Sequence, residues 1–164
     1  MHARTRRHLP VYQRRVGQGT VLGPTTCRTG AIVTAYRGAM SSQLAAIAID
    51  ATRPKVVADF WCAVLGWRVV EEDGDVISIA PQDETRPSID VIAVPEAKTV
   101  KNRLHFDLRA DGESTADELE RLLGLGAQRK DVGQGPDASW VVLADPEGNE
   151  FCLLSRSVQD VDQK

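Results

Sequence analysis

One order of elements occurs twice in this chain, and that constrains its fold more than any other feature. "QLAAIAID" (43–50) alternates like a strand, and "RPKVVADFWCAVLG" (53–66) repeats its apolar residues with helical period. Val56, Phe60 and Val64 share one helix face, Pro54 suits the first turn, and Gly66 suits the C-terminal stop. Three short strand patterns follow: "WRVVEE", "DVISIA" and "SIDVIAV". After the linker "PEAKTVKN" (95–102) the series returns. "RLHFDL" (103–108) reads as a strand, and "STADELERLLGLG" (114–126) as a helix with a Ser114–Asp117 capping box. "AQRKDV", "SWVVLA" and "EFCLL" read as three more strands.

Leu65-Gly66 and Leu125-Gly126 hold matching places after the two helices, and Ala46 and His105 hold matching places on the two first strands. The expected fold is therefore α+β. Two βαβββ modules, 43–94 and 103–155, form a curved mixed sheet around a cleft, with helices outside and the ligand site in the cleft between the modules.

The formal net charge of −3 conceals an uneven distribution. Residues 1–39 contain seven arginines and no acidic residue. The remaining thirteen basic residues face twenty-three acidic ones in 40–164, a net of −10. The first 39 residues lack hydrophobic periodicity and read as a disordered basic extension. Alternatives are a nucleic-acid or membrane arm and a targeting peptide. The preferred reading is that this segment is not natively translated: Met40 directly precedes the first patterned strand, and Arg37-Gly38-Ala39 admits purine-rich codons resembling a ribosome-binding site. Residues 40–164 then make up the domain. The acidic body offers no basic patch for nucleic acid, and no apolar run has membrane-spanning length. Cys27, Cys62 and Cys152 are few, far apart and odd in number, which points to a reducing cytoplasm rather than a disulfide framework.

"DATRPKVVADFWCAVLGW" (50–67), "KNRLHFDL" (101–108) and "WVVLADPEGNEFCLL" (140–154) together resemble the vicinal oxygen chelate superfamily. That group includes glyoxalase I, bleomycin-resistance proteins and extradiol dioxygenases, and the likeness is nearest to its small glyoxalase-like actinobacterial members. The resemblance implies four metal-ligand positions on cleft-facing strands in the metal-using relatives. Here they fall at about Ala46, near Ile92 (with Asp90 on the same strand face), at His105 and at Cys152, where relatives usually have Glu. Relatives pair their modules within a chain or across a dimer, so a homodimer is an allowed assembly.

Only His105 and Cys152 bring donors to those positions, with Asp90 as a third if it faces the cleft. Such a set would suit a zinc-like ion. Other readings are a hydrogen-bonded His105 beside a small apolar Cys152, and a nucleophilic Cys152–His105 pair. Asp107 shares the strand face of His105 and can orient the imidazole or contact a ligand. Trp67 and Trp140 flank strands, where each ring serves either in packing or as a platform for a flat ligand.

The resulting expectation is a metal-independent protein that binds or sequesters a small aromatic or cationic molecule through His105, Asp107, Cys152, Trp67 and Trp140. No cofactor is expected, and a divalent metal held by His105 and Cys152 is the alternative. The enzymatic alternative is a lyase, isomerase or dioxygenase using His105, with Asp107 orienting it. Glyoxalase I activity is not expected, because most ligand positions lack a donor.

Overall fold

The computed structural model describes residues 42–85, 87–135 and 137–163. The reading of residues 1–39 as a disordered, untranslated extension lies outside the described residues.

The first module runs β1 (Ala46–Ala51), α1 (Pro54–Leu65), β2 (Arg68–Asp73), β3 (Val76–Ala80) and β4 (Ser88–Ala93). The second runs β5 (Asp107–Leu108), α2 (Thr115–Gly124), β6 (Gln128–Arg129), β7 (Trp140–Ala144) and β8 (Glu150–Leu154), followed by α3 (Val158–Asp162). Each module builds one four-stranded sheet, in the orders β1-β4-β3-β2 and β5-β8-β7-β6. In both, the first strand runs parallel to the last, and the other pairings are antiparallel. The α+β class and the twofold βαβββ order are thus as the sequence implies.

The register corrects one equivalence. In sheet 1, Ser78 and Ala48 flank Asp90; in sheet 2, Val142 and Asp107 flank Cys152. With Ala46 matched to His105, the counterpart of Cys152 is Asp90 rather than Ile92. Both lie on one strand face, so residue alternation could not separate them.

Four local features also differ from the expectation. Of "RLHFDL" only Asp107 and Leu108 join the ladder. The preceding segment is tied to β8 by the Glu150 carboxylate, which accepts from the Asn102 N–H at 3.0 Å and pairs with Lys98 at 2.9 Å. Of "AQRKDV" only Gln128 and Arg129 form β6. Beyond them the Asp131 carboxylate accepts from the Gly133 N–H and the Gln134 side chain from the Val132 N–H, local bonds that favour a turn over a strand. Helix α3 was not foreseen; a Ser157–Asp160 capping box starts it. At α2 the expected box is half formed: Ser114 Oγ accepts from the Asp117 N–H, but its own hydroxyl meets the Asp117 carboxylate.

Helix α1 organises the core. Val57, Phe60, Trp61 and Val64 share one buried cluster with Ile79, Ile89 and Val91 of sheet 1 and Leu143, Phe151 and Leu153 of sheet 2. The Trp61 ring lies 5.1 Å from Phe106 and 5.2 Å from Phe151, both edge-on. One helix therefore packs against the inner faces of both sheets.

Both ends of α1 are completed by the second module. Its N-cap residue, Arg53, supplies no side-chain cap. Instead Glu147 accepts from the Thr52 N–H at 2.7 Å, the Thr52 hydroxyl at 2.8 Å and Arg53 Nε at 3.2 Å. At the other end Arg121 donates to the carbonyls of Ala63 and Val64, both at 3.0 Å. An anion at the N-terminus and a cation at the C-terminus both complement the helix dipole.

Glu147 owes its position to the Asp145–Asn149 turn. Buried Asp145 accepts from the Glu147 and Asn149 N–H groups, the Asn149 side chain and, at 3.4 Å, the Trp61 indole. Gly148 adopts φ 89°, a conformation that strongly favours glycine.

Candidate functional site

Strand alternation divides sheet 2 into two faces. Phe106, Leu108, Val141, Leu143, Phe151 and Leu153 turn toward α1 and the core. Asp107, Trp140, Val142, Glu150, Cys152 and Leu154 take the opposite face. That outer face borders a cavity of about 330 Å³. Trp140, Val142 and Leu154 form its apolar side, and His105, Asp107 and Cys152 cluster at its polar side. Lys101, Glu150 and Val132 complete the rim. A wider hollow of about 540 Å³ borders only linker residues Val100–Arg103, and Lys101 stands between the two.

This cavity lies on the sheet face turned away from α1, the face on which a cleft is expected, and its lining comes from the second module and the linker. α1 covers the core-facing residues of both sheets, so the polar cluster of sheet 2 falls on the opposite face.

His105 Nδ1 lies 2.9 Å from Asp107 Oδ1 and 3.8 Å from Cys152 Sγ. The two contacts compete for one ring nitrogen. The short one sets the proton: Nδ1–H donates to the carboxylate, leaving Nε2 as the basic atom of the neutral ring. The sulfur contact is long and contributes proximity more than orientation. Burial raises the Cys152 pKa, and the charge and hydrogen bond of Asp107 raise it further, while Lys101 opposes them. Cys152 is consequently a thiol at neutral pH, poorly suited to nucleophilic attack.

Glu150 is committed to structure. Burial pushes its pKa up, but the Asn102 N–H and the Lys98 ammonium outweigh burial and hold it below the ordinary glutamate value. It is ionised and already paired.

Of the sequence candidates, His105, Asp107, Cys152 and Trp140 come together at this cavity. Trp67 does not join them; it packs, partly buried, against the core cluster. Asp90, the expected third donor, accepts from the Ser78 hydroxyl at 2.8 Å in sheet 1. The third member of the cluster is Asp107: its carboxylate, His105 nitrogen and Cys152 sulfur lie within 4.8 Å of one another. Lys101 and Glu150 were missed as site residues. Alternation with Cys152 placed Glu150 on the right face, whereas nothing in the linker pattern marked Lys101.

The cluster can be tested as a metal site from its donors. A thiol, an imidazole and a carboxylate match the three-ligand sets of open zinc centres, with a fourth position left for solvent or ligand. A single carboxylate is too little for Mg²⁺, which prefers oxygen and dehydrates reluctantly. The residues therefore fit a borderline or soft divalent ion held by His105, Asp107 and Cys152. Such an ion would supply Lewis acidity beside the cavity. The chain's own residues would orient the imidazole and shield the site with an apolar wall.

Paired βαβββ modules with a polar cluster on one open sheet face define a vicinal oxygen chelate protein. The sequence itself matches the glyoxalase-like domain family over residues 46–154, and the chain belongs to that family. No curated protein sequence matches it.

Solved structures share the fold. A glyoxalase/bleomycin resistance protein/dioxygenase family enzyme from Burkholderia phytofirmans PsJN is 19% identical, with 68% of this chain and 97% of that one covered and a TM-score of 0.52. A mutant of the fosfomycin resistance protein FosX from Listeria monocytogenes, complexed with Mn(II) and 1S,2S-dihydroxypropylphosphonic acid, is 14% identical, with coverages of 76% and 98% and a TM-score of 0.56. TnmS3, an antibiotic binding protein from Streptomyces sp. CB03234, is 17% identical, with coverages of 74% and 100% and a TM-score of 0.51. Among the described residues no helix is long and apolar enough to cross a membrane.

Proposed function

We propose that this domain binds a small molecule on the outer face of sheet 2 without needing a metal. The observation that supports this most is the composition of the cavity: one apolar side of Trp140, Val142 and Leu154 faces a His105–Asp107 pair already oriented by its own hydrogen bond. A few fixed polar groups against apolar walls is the usual chemistry of a ligand site. The protonated thiol of Cys152 acts as a small polarizable filler. The free thiols of Cys62 and Cys152 suit the cytoplasm. A homodimer fits the same reading, because β5 is an edge strand and Val100 and Leu104 beside this segment are exposed.

The test is a thermal-shift screen of small aromatic compounds and antibiotics against chelator-treated protein, followed by titration of hits and light scattering for the assembly. Hits on metal-free protein that weaken at least tenfold in His105→Ala support the reading. Hits that require added metal in every case would sink it.

The three-donor cluster favours a second reading, a metal-assisted lyase, isomerase or dioxygenase. Zinc titration by calorimetry in two buffers of different ionisation heat checks it. Tight stoichiometric binding with release of about one proton, lost in Cys152→Ala, would establish the metal centre.

A further inference from the structure

We propose that the ligand of this cavity carries an anionic head, such as a carboxylate, and that Lys101 recognises it. The inference rests on the binding reading above and names the ligand's chemical class. It opposes what net charge suggests, since an acidic body attracts cations.

The local charges decide otherwise because each acid at the cavity is already engaged. Glu150 is paired with Lys98 at 2.9 Å and accepts from the Asn102 N–H. Asp107 is held by His105 at 2.9 Å. Lys101 differs: the one hydrogen bond it makes among the described residues is to the Asn102 carbonyl, at a long 3.4 Å. It borders both the cavity that Trp140, Val142 and Leu154 line and the hollow beside the linker. Lys101 is therefore a cavity-lining ammonium with no ion pair among the described residues, with Trp140 as the surface on which a flat apolar body can rest. A cationic ligand would share Asp107 with His105 and meet Lys101 as a like charge. An anionic one displaces only a weak bond to a carbonyl.

Three isosteric probes test this: 2-naphthoate, 2-naphthamide and 2-naphthylmethylammonium, each titrated against the full chain by tryptophan fluorescence, with Trp140→Phe as the control that locates the signal. Naphthoate is expected to bind about tenfold or more tightly than the amide, in the range of a charge-assisted hydrogen bond. That preference should fall to about twofold or less in Lys101→Gln and persist in Lys101→Arg. Lys101 is exposed, so neither variant disturbs the core. Equal affinity for naphthoate and naphthamide, or tightest binding of the ammonium probe, would overturn the anionic class while leaving the cavity a binding site. No Trp140-dependent response to any probe would overturn the binding reading, and this inference with it.

Discussion

Sheet 1 and sheet 2 present the same three positions in the same register, yet their chemistry diverges. Across sheet 1 the outer face reads Ser78, Asp90, Ala48; across sheet 2 it reads Val142, Cys152, Asp107. Asp90 accepts from the neighbouring Ser78 hydroxyl, and the residue paired with it on β1 is Ala48. Asp107 is turned to His105 instead, with a thiol and the Trp140 wall close by. The βαβββ frame tolerates either face because only the inner residues must pack on α1. Repetition therefore fixes the scaffold twice and the candidate chemistry once.

The modules differ in backbone pairing as well. β1 pairs with β4 over six residues, whereas β5 pairs with β8 over two. Side chains of the second module add ties beyond its ladder: Glu150 secures the linker, and Glu147 secures the start of α1 in the first module. The candidate site thus sits on the module with less backbone ladder, next to a segment that side chains hold in place.

The most severe way to break the comparison is to remove what the modules share. Trp61→Ala is expected to destabilise the protein by about 3–5 kcal/mol, since the ring fills space between the two inner faces. Chemical denaturation would show it, and a loss below about 1 kcal/mol would mean that the modules do not depend on a common core.

A smaller effect should follow from Glu147→Gln, about 1–2 kcal/mol, through loss of a charged cap on α1. The same residue and Glu150 set a pH dependence. Burial raises the Glu147 pKa, but the Thr52 hydroxyl and N–H and Arg53 bring it below the ordinary glutamate value. Carboxyls with lowered folded pKa add stability above their unfolded pKa, near about 4.3, and lose it as pH falls through the folded value. Melting temperature should therefore hold from neutral pH to about 5 and decline below it. Glu147→Gln should decline less steeply, and parallel curves for the two proteins would contradict the assignment.

The gentlest test sharpens the contrast between the two outer faces. Asp90→Asn should leave probe affinity at the cavity within about twofold and stability within about 1 kcal/mol, because its hydrogen bond to Ser78 is local and partly exposed. His105→Ala should weaken binding at least tenfold. Comparable losses in both variants would show that sheet 1 takes part in the site, as in a dimer whose partner copy supplies that face.

Much of this architecture was legible in the sequence because secondary-structure period and turn chemistry are local. The helical spacing of Val56, Phe60 and Val64, the Gly66 stop and the alternation of "EFCLL" each depend on residues a few positions apart. The same alternation placed His105 and Asp107 on one strand face. What the sequence could not determine is set by contacts between residues far apart. Whether Ile92 or Asp90 matches Cys152 depends on a strand register that a shift of two residues leaves looking the same. Which face of sheet 2 turns to the core depends on Trp61 reaching Phe106 and Phe151, across 45 and 90 positions of chain. Lys101 became visible only when Glu150 drew its linker alongside β8. Local pattern determined the two modules; long-range packing and charge pairing determined where their chemistry lies.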